Sequence, residues 1–261
     1  MSEYCTAMIR NPFQSAGGAA RYAAGRPYIH PLFMERLQPW LDGHALGADV
    51  ACGTGLSGVA LADLVDRVLA FDASAAMLEH AIPHPKVTYA LAPAEVLPLP
   101  DACLDVLTVA QGIHWFDRPH FYAEARRTLK PGGVLGVYDM FFLGELEGQP
   151  EFKTWMSGQY GERYPSPPRW PYALDEDEAQ AISEGFSFHE ERFSHLQTFS
   201  RAGMVAYLMT HSNTVAASDE GRETPQEIAS WLDVGLTPFL PGEVVGRFRF
   251  GGLLRVLKLL A

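Results

Sequence analysis

Between Leu46 and Tyr138 the apolar positions change period in a regular way. Leu46, Ala48 and Val50 alternate like a strand. Past the glycines at 53, 55 and 58, the set Val59, Ala60, Leu61, Leu64 and Val65 takes helical spacing. Val68 to Phe71 reads as a short buried strand ending at Asp72. Ser74 predicts a helix cap, with Met77, Leu78 and Ala81 on one face and Pro83 and Pro85 closing the helix. Val87, Tyr89 and Leu91 alternate as a third strand, and Leu104 to Ala110 forms a fourth. Asp117 predicts another cap, ahead of the stripe Phe121, Tyr122, Ala125 and Leu129. Lys130-Pro131-Gly132-Gly133 predicts the end of that helix through glycine C-capping and proline. Val134, Leu135, Val137 and Tyr138 make the fifth strand. Such alternation predicts a parallel sheet covered on both faces, and right-handed crossovers make it doubly wound.

The flanks lack this rhythm. Residues 1–44 form an N-terminal cap containing Y-x-x-x-R-P-Y-x-x-P from Tyr22 to Pro31. Behind it, Leu32, Phe33, Arg36, Leu37, Trp40 and Leu41 recur as a short amphipathic helix. Residues 141–186 are rich in aromatics and prolines, the composition of a lid or of a surface wrap. Phe188 to Phe199 reads as a strand, and Met204–Met209 and Ile228–Leu232 read as helices. The expectation is a single three-layer α/β/α domain. Its core is 45–140, its substrate-side insertions are 141–186 and 199–244, and its final strand, 245–261, runs antiparallel. The 261 residues are 48% hydrophobic, enough for a substantial core.

Charge and cysteine content narrow the chemistry. A net charge of −11, without a Lys/Arg run, disfavours a nucleic-acid partner. Three scattered cysteines, Cys5, Cys52 and Cys103, with no C-x-x-C, argue against a disulfide framework and against a zinc site, and no metal is expected. The first residues lack a signal-peptide pattern, and no apolar run reaches the ~18 residues of a membrane span. A soluble cytoplasmic protein is the expectation.

The candidate chemistry centres on D-V-A-C-G-T-G-L-S-G, Asp49 to Gly58. Glycines after a strand let the backbone approach a ligand, and the following helix start favours an electron-rich group. Gly53, Gly55 and Gly58 satisfy the dinucleotide spacing, with Asp72 as the acid roughly 20 residues on. Asp49, however, puts a carboxylate just ahead of the glycines, which suits a cationic ligand better than a pyrophosphate.

Taken with F-D-A-S-A-A-M-L (Phe71 to Leu78), A-E-V-L-P-L-P-D (Ala94 to Asp101), A-Q-G-I-H-W-F-D (Ala110 to Asp117) and L-K-P-G-G (Leu129 to Gly133), the stretch resembles class I S-adenosylmethionine-dependent methyltransferases. The last strand-end motif and the Y-x-x-x-R-P preface are similar to the trans-aconitate methyltransferase-like branch. The resemblance covers roughly residues 13–140. It departs from the family pattern at Ala51, where glycine is common, and at Ala92-Pro93, where many relatives carry Gly-Asp.

The resemblance implies a Rossmann-like fold and S-adenosyl-L-methionine as cofactor, with S-adenosyl-L-homocysteine as product. It also implies roles for individual residues. Asp49, Ala51, Gly53, Gly55 and Gln111 would line the methionine end. Asp72 would take the ribose hydroxyls, Ala73 and Met77 would flank the adenine, and Ala94 and Glu95 would meet its edge. Tyr22 and Arg26 are further candidates for ligand contact, and His114 is the candidate base or acceptor-positioning group. His211, Arg163, Arg169 and Arg201 have weaker claims on the acceptor, and Cys52 suits packing. The expected partner is a small-molecule methyl acceptor, with no nucleic acid and no membrane. Two other readings stay open: an NAD(P)-dependent oxidoreductase, and a non-catalytic cofactor-binding protein.

Overall fold

The computed structural model describes residues 25–167 and 176–260. In chain order the first elements are α1 (His30–Leu37), β1 (Leu46–Val50), α2 (Leu56–Leu61), β2 (Arg67–Asp72), α3 (Ala75–Leu78), β3 (Val87–Leu91), β4 (Leu104–Ala110), α4 (Arg118–Thr128) and β5 (Leu129–Leu146). Then come α5 (Glu151–Trp155), α6 (Gly161–Arg163), α7 (Glu176–Ser183), β6 (Phe186–Ser200), α8 (Arg201–Leu208), α9 (Ser212–Asp219), α10 (Pro225–Leu236) and β7 (Val245–Leu259). The described residues divide into two compact units. One contains 27–143, 176–195 and 250–260, and the other contains 25–26, 144–167 and 196–249.

The strands form one seven-stranded sheet in the order β3-β2-β1-β4-β5-β7-β6. β1 to β5 are parallel, with Asp49 opposite Ala70 on one side and Thr108 on the other. β7 runs antiparallel, as expected. Ser187 and Glu190 on β6 bond to Lys258 and Arg255, while Phe199 meets Phe248, so the two strands are read in opposite directions.

Both faces of the sheet are covered. Phe121, Tyr122 and Ala125 of α4 and Ile182 of α7 pack with Leu107, Val109, Leu135 and Val137 in one layer. On the opposite face, Phe33 of α1 stacks on Tyr138 at 4.4 Å, and Leu61 of α2 lies against Gly47. β4 is buried along almost its whole length, which explains its near-continuous apolar run.

Three local expectations need correction. α4 is not ended by the Gly132-Gly133 pair. Its cap is Leu129, already extended at ψ 141°, because Leu129 pairs with Leu104 and joins the sheet. Gly132, at φ +79°, belongs to a later bend within β5. The fifth strand therefore runs well beyond 134–138. The helix after Ser74 is a single turn, although the Ser74 hydroxyl does cap it by accepting from the Met77 N–H.

In the second unit, Phe152, Trp155, Tyr160 and Tyr164 are buried, and Trp155 stacks on Trp231 at 5.7 Å. These four aromatics of the 141–186 stretch are thus core of this unit. Residues 168–175, with Arg169 and Trp170, lie outside the described residues, as does Tyr22. Among the described residues no helix is long and apolar enough to cross a membrane.

Candidate active site

The carboxyl ends of β1, β2 and β4 converge around the glycine turn. Ala51 follows β1 with φ +55°, Gly53 has φ +55° and Gly55 has φ +87°. The Gly55 N–H donates to the Cys52 carbonyl at 2.8 Å, closing the turn, and the Cys52 N–H donates to the Phe71 carbonyl at 3.0 Å. A Cβ on Gly53 would meet nothing within 4 Å, so the turn faces open space there. At Gly55 a Cβ would collide with the Tyr89 ring, whose Cζ lies 2.8 Å away.

Ala51 and Gln111 are non-glycine residues in left-handed backbone, Gln111 at φ +54°. Each costs on the order of 1–2 kcal/mol. Gln111 is held by its N–H bond to the Tyr138 carbonyl at 2.9 Å. The next residue, Gly112, sits so close that a Cβ there would lie 2.7 Å from the Ala51 Cβ. The ends of β1 and β4 are therefore pressed together where the strained residues lie.

Asp72 organises the turn from the neighbouring strand. Its Oδ2 accepts the Gly53 N–H and its Oδ1 accepts the Ser74 N–H, each at 2.8 Å. The side chain stays half-buried, and burial moves its carboxyl above the usual range. Two N–H bonds fix the carboxylate in direction and leave lone pairs for a further donor.

Asp49 has no exposed surface. Its Oδ2 accepts from the Ser57 hydroxyl at 2.6 Å and its Oδ1 from the Thr108 hydroxyl at 2.8 Å. Desolvation raises its pKa to about 7, against the lowering effect of those hydroxyls, and the nearby Asp72 charge adds to the rise. The carboxylate thus lies beneath the turn instead of lining it. Burial also drives the Cys52 thiol far up, with the Asp49 and Asp72 charges adding to it, which keeps it an inert packing group.

Beyond β3, Ala94 is buried and Glu95 half-buried, and Glu95 Oε1 accepts the Asp117 N–H at 2.9 Å. Met77 is buried and Ala73 exposed beside Asp72. His114 is buried in the short turn Ile113–Trp115 after β4, with its ring 4.8 Å from that of Trp115. Leu91, opposite Asp72 in the sheet, and Val96 are apolar yet 61% and 69% exposed. In sequence Leu91 reads only as a strand position and Val96 only as part of A-E-V-L-P-L-P-D. The signal was an apolar strand end followed by an apolar residue in a loop.

Arg26, Arg163, Arg201 and His211 belong to the other compact unit. There the Arg26 guanidinium lies 5.7 Å from the centre of the Tyr207 ring and bonds to the Thr210 carbonyl at 3.4 Å. Arg163 pairs with Glu223, Arg201 pairs with Asp233, and His211 Nδ1 is 3.1 Å from the Tyr160 hydroxyl. Among the described residues no group of three His, Cys, Asp or Glu could hold a metal.

Residues 48–137 match the methyltransferase domain family. A protein of Dictyostelium discoideum named as a candidate methyltransferase is 34% identical over 115 residues, covering 42% of this chain and 44% of that one. An uncharacterized methyltransferase of Mycobacterium tuberculosis is 36% identical over 126 residues, covering 48% and 50%. The chain therefore spans about half the length of these curated relatives. The solved structure of a candidate type II methyltransferase from Anaeromyxobacter dehalogenans superposes with a TM-score of 0.69 at 27% identity, covering 90% of this chain and 98% of that one. The matched segment contains the turn, Asp72 and the end of β4, so the strand-end site lies within the residues that are similar to a methyltransferase domain.

Proposed function

We propose that the protein transfers a methyl group from S-adenosylmethionine to a small-molecule acceptor. The observation that carries this reading is the Asp72 carboxylate, oriented by two backbone N–H groups beside a glycine turn that faces open space. A carboxylate offers two acceptor oxygens to the two adjacent hydroxyls of a ribose. In an open α/β sheet such groups meet in the crevice at the strand ends.

The other roles follow from position. Gly53, Ala51 and Gln111 surround the place for the methionine end. Asp49 acts from below, as a buried negative charge that favours a cationic sulfur without touching it. Ala73, Met77, Leu91 and Val96 offer apolar surface for the purine, and Ala94 and Glu95 its polar edge. Bound there, the cofactor supplies a methyl group already activated for displacement. The chain's own contribution is alignment, worth up to ~7–11 kcal/mol when the reacting atoms are well placed. His114 takes the acceptor proton where there is one to lose, or orients the acceptor. An acceptor that is a carboxylate oxygen, already deprotonated, needs no base.

Calorimetry with S-adenosylmethionine, S-adenosylhomocysteine and NAD tests this reading. Both sulfur compounds should bind and NAD should not. Binding of NAD alone would overturn it in favour of an oxidoreductase. Asp72→Asn should weaken S-adenosylhomocysteine binding at least about tenfold, roughly 1.4 kcal/mol. Unchanged affinity would remove Asp72 from the ribose.

A further inference from the structure

The segment Ala92–Cys103, between β3 and β4, is strapped along α4. At the start of the helix the tie is the Asp117 N–H to Glu95. Farther along, the Leu97 N–H donates to Glu124 Oε1 at 2.6 Å. Arg127 then gathers three more points. Its Nη2 donates to the Leu97 carbonyl at 3.1 Å, and its Nη1 donates to the Leu99 carbonyl and to Asp101 Oδ1, each at 2.7 Å. The same guanidinium grips Glu124 as a fork, Nε to Oε2 at 2.8 Å and Nη2 to Oε1 at 2.6 Å. Beyond it, the Ala102 and Cys103 N–H groups donate to the carbonyls of Arg127 and Thr128.

This is work for a planar cation with five donors, which lysine cannot copy. The Arg127 hydrogen bond and charge hold the Glu124 carboxyl below its ordinary range, and Glu124 and Asp101 hold the guanidinium above its own. The segment has no helix or strand of its own to fix it. Ordering such backbone costs conformational entropy. A network that orders it before a ligand arrives removes that cost from binding.

We propose that Arg127 and Glu124 are positioning residues of the adenine subsite, holding Ala94 to Val96 in the shape that reads the purine edge. The inference rests on the cofactor reading above. Neither residue reaches the reacting atoms, so their loss changes base recognition and not methyl chemistry.

The test measures binding of S-adenosylhomocysteine and of S-inosylhomocysteine, in which a carbonyl replaces the 6-amino group. Wild-type protein that binds neither compound refutes the cofactor reading itself. Wild-type protein that binds the adenosyl form more tightly leaves that reading standing and isolates the positioning claim. Arg127→Gln should then lose tenfold or more in affinity for the adenosyl form, and the adenosyl-to-inosyl ratio should fall toward one. Arg127→Lys should recover only part of both. A purely structural role would weaken the two compounds equally, and an unchanged ratio overturns the proposal. Should Arg127→Gln fail to fold, Asp101→Ala removes a single tie at a side chain that is 79% exposed. The ratio must fall there as well, and if it does not the proposal is wrong.

Discussion

Asp49 shows how one residue couples the sheet to solution conditions. The unfolded chain releases this proton near the ordinary value of 3.8, and the folded chain near 7. Between those values the folded form binds more protons, so stability falls as pH rises through the window and levels off above it. About three units at ~1.4 kcal/mol each put the penalty on the order of 4 kcal/mol above neutrality. Asn at this site carries no charge, and the hydroxyls of Ser57 and Thr108 can each donate or accept. Asp49→Asn should therefore have a higher urea midpoint than wild type at pH 8, with the two converging by about pH 4. A variant less stable at pH 8 would mean that the carboxylate is not penalised. The sequence marked Asp49 as the residue before the glycines. It gave no sign of the two hydroxyls that enclose it, because Thr108 comes from a strand 59 residues away.

At the scale of elements, the turn after β1 separates two kinds of glycine. Gly53 has positive φ and open space, so Ala there meets only the backbone penalty, about 1–2 kcal/mol. Its new methyl would stand where the ligand belongs. Gly55 has positive φ and the Tyr89 ring as well, so Ala there adds overpacking of ~1–3 kcal/mol. Gly53→Ala should fold with modest loss and bind S-adenosylhomocysteine at least tenfold more weakly. Gly55→Ala should lose clearly more stability in chemical denaturation. Equal losses, or wild-type binding by Gly53→Ala, would contradict this account of the turn.

Elements with local signals were legible. Ser74 and Asp117 cap helices as their spacing suggested, and all the strands but the fifth, which runs well beyond its expected ends, lie close to where alternation or apolar runs put them. The end of α4 was misread because the cause is not local. Pairing with Leu104 draws Leu129 into the sheet before the glycines come into play.

For the whole molecule, the chain's two textures correspond to two kinds of packing. The regular β/α rhythm builds the unit with the strand-end site. The aromatic stretch and the helices around residues 201–236 build a unit with its own core of Phe152, Trp155, Tyr160, Tyr164 and Tyr207. Composition showed that these aromatics were abundant but not which helices they would meet. The strap along α4 was equally hidden. Arg127 and Asp101 are ordinary surface charges in sequence, and only the fold puts the guanidinium over the backbone of a segment some 30 residues earlier.

The contact between the ends of β1 and β4 makes positions 51 and 112 a single unit of inheritance. Gly112, at φ −115°, is not in left-handed backbone, and what bars a larger residue is the Ala51 methyl 2.7 Å from where its Cβ would be. Alanine is therefore admissible at one of the two places but not at both, and the order in which a lineage changes them matters. Gly112→Ala alone should destabilise the protein, and adding Ala51→Gly should return much of that loss, which a double-mutant cycle reads as favourable coupling. Additive effects would mean that the two strand ends vary independently. Coupling would mean that chains with glycine at 51 are free to carry alanine at 112, a substitution this chain resists.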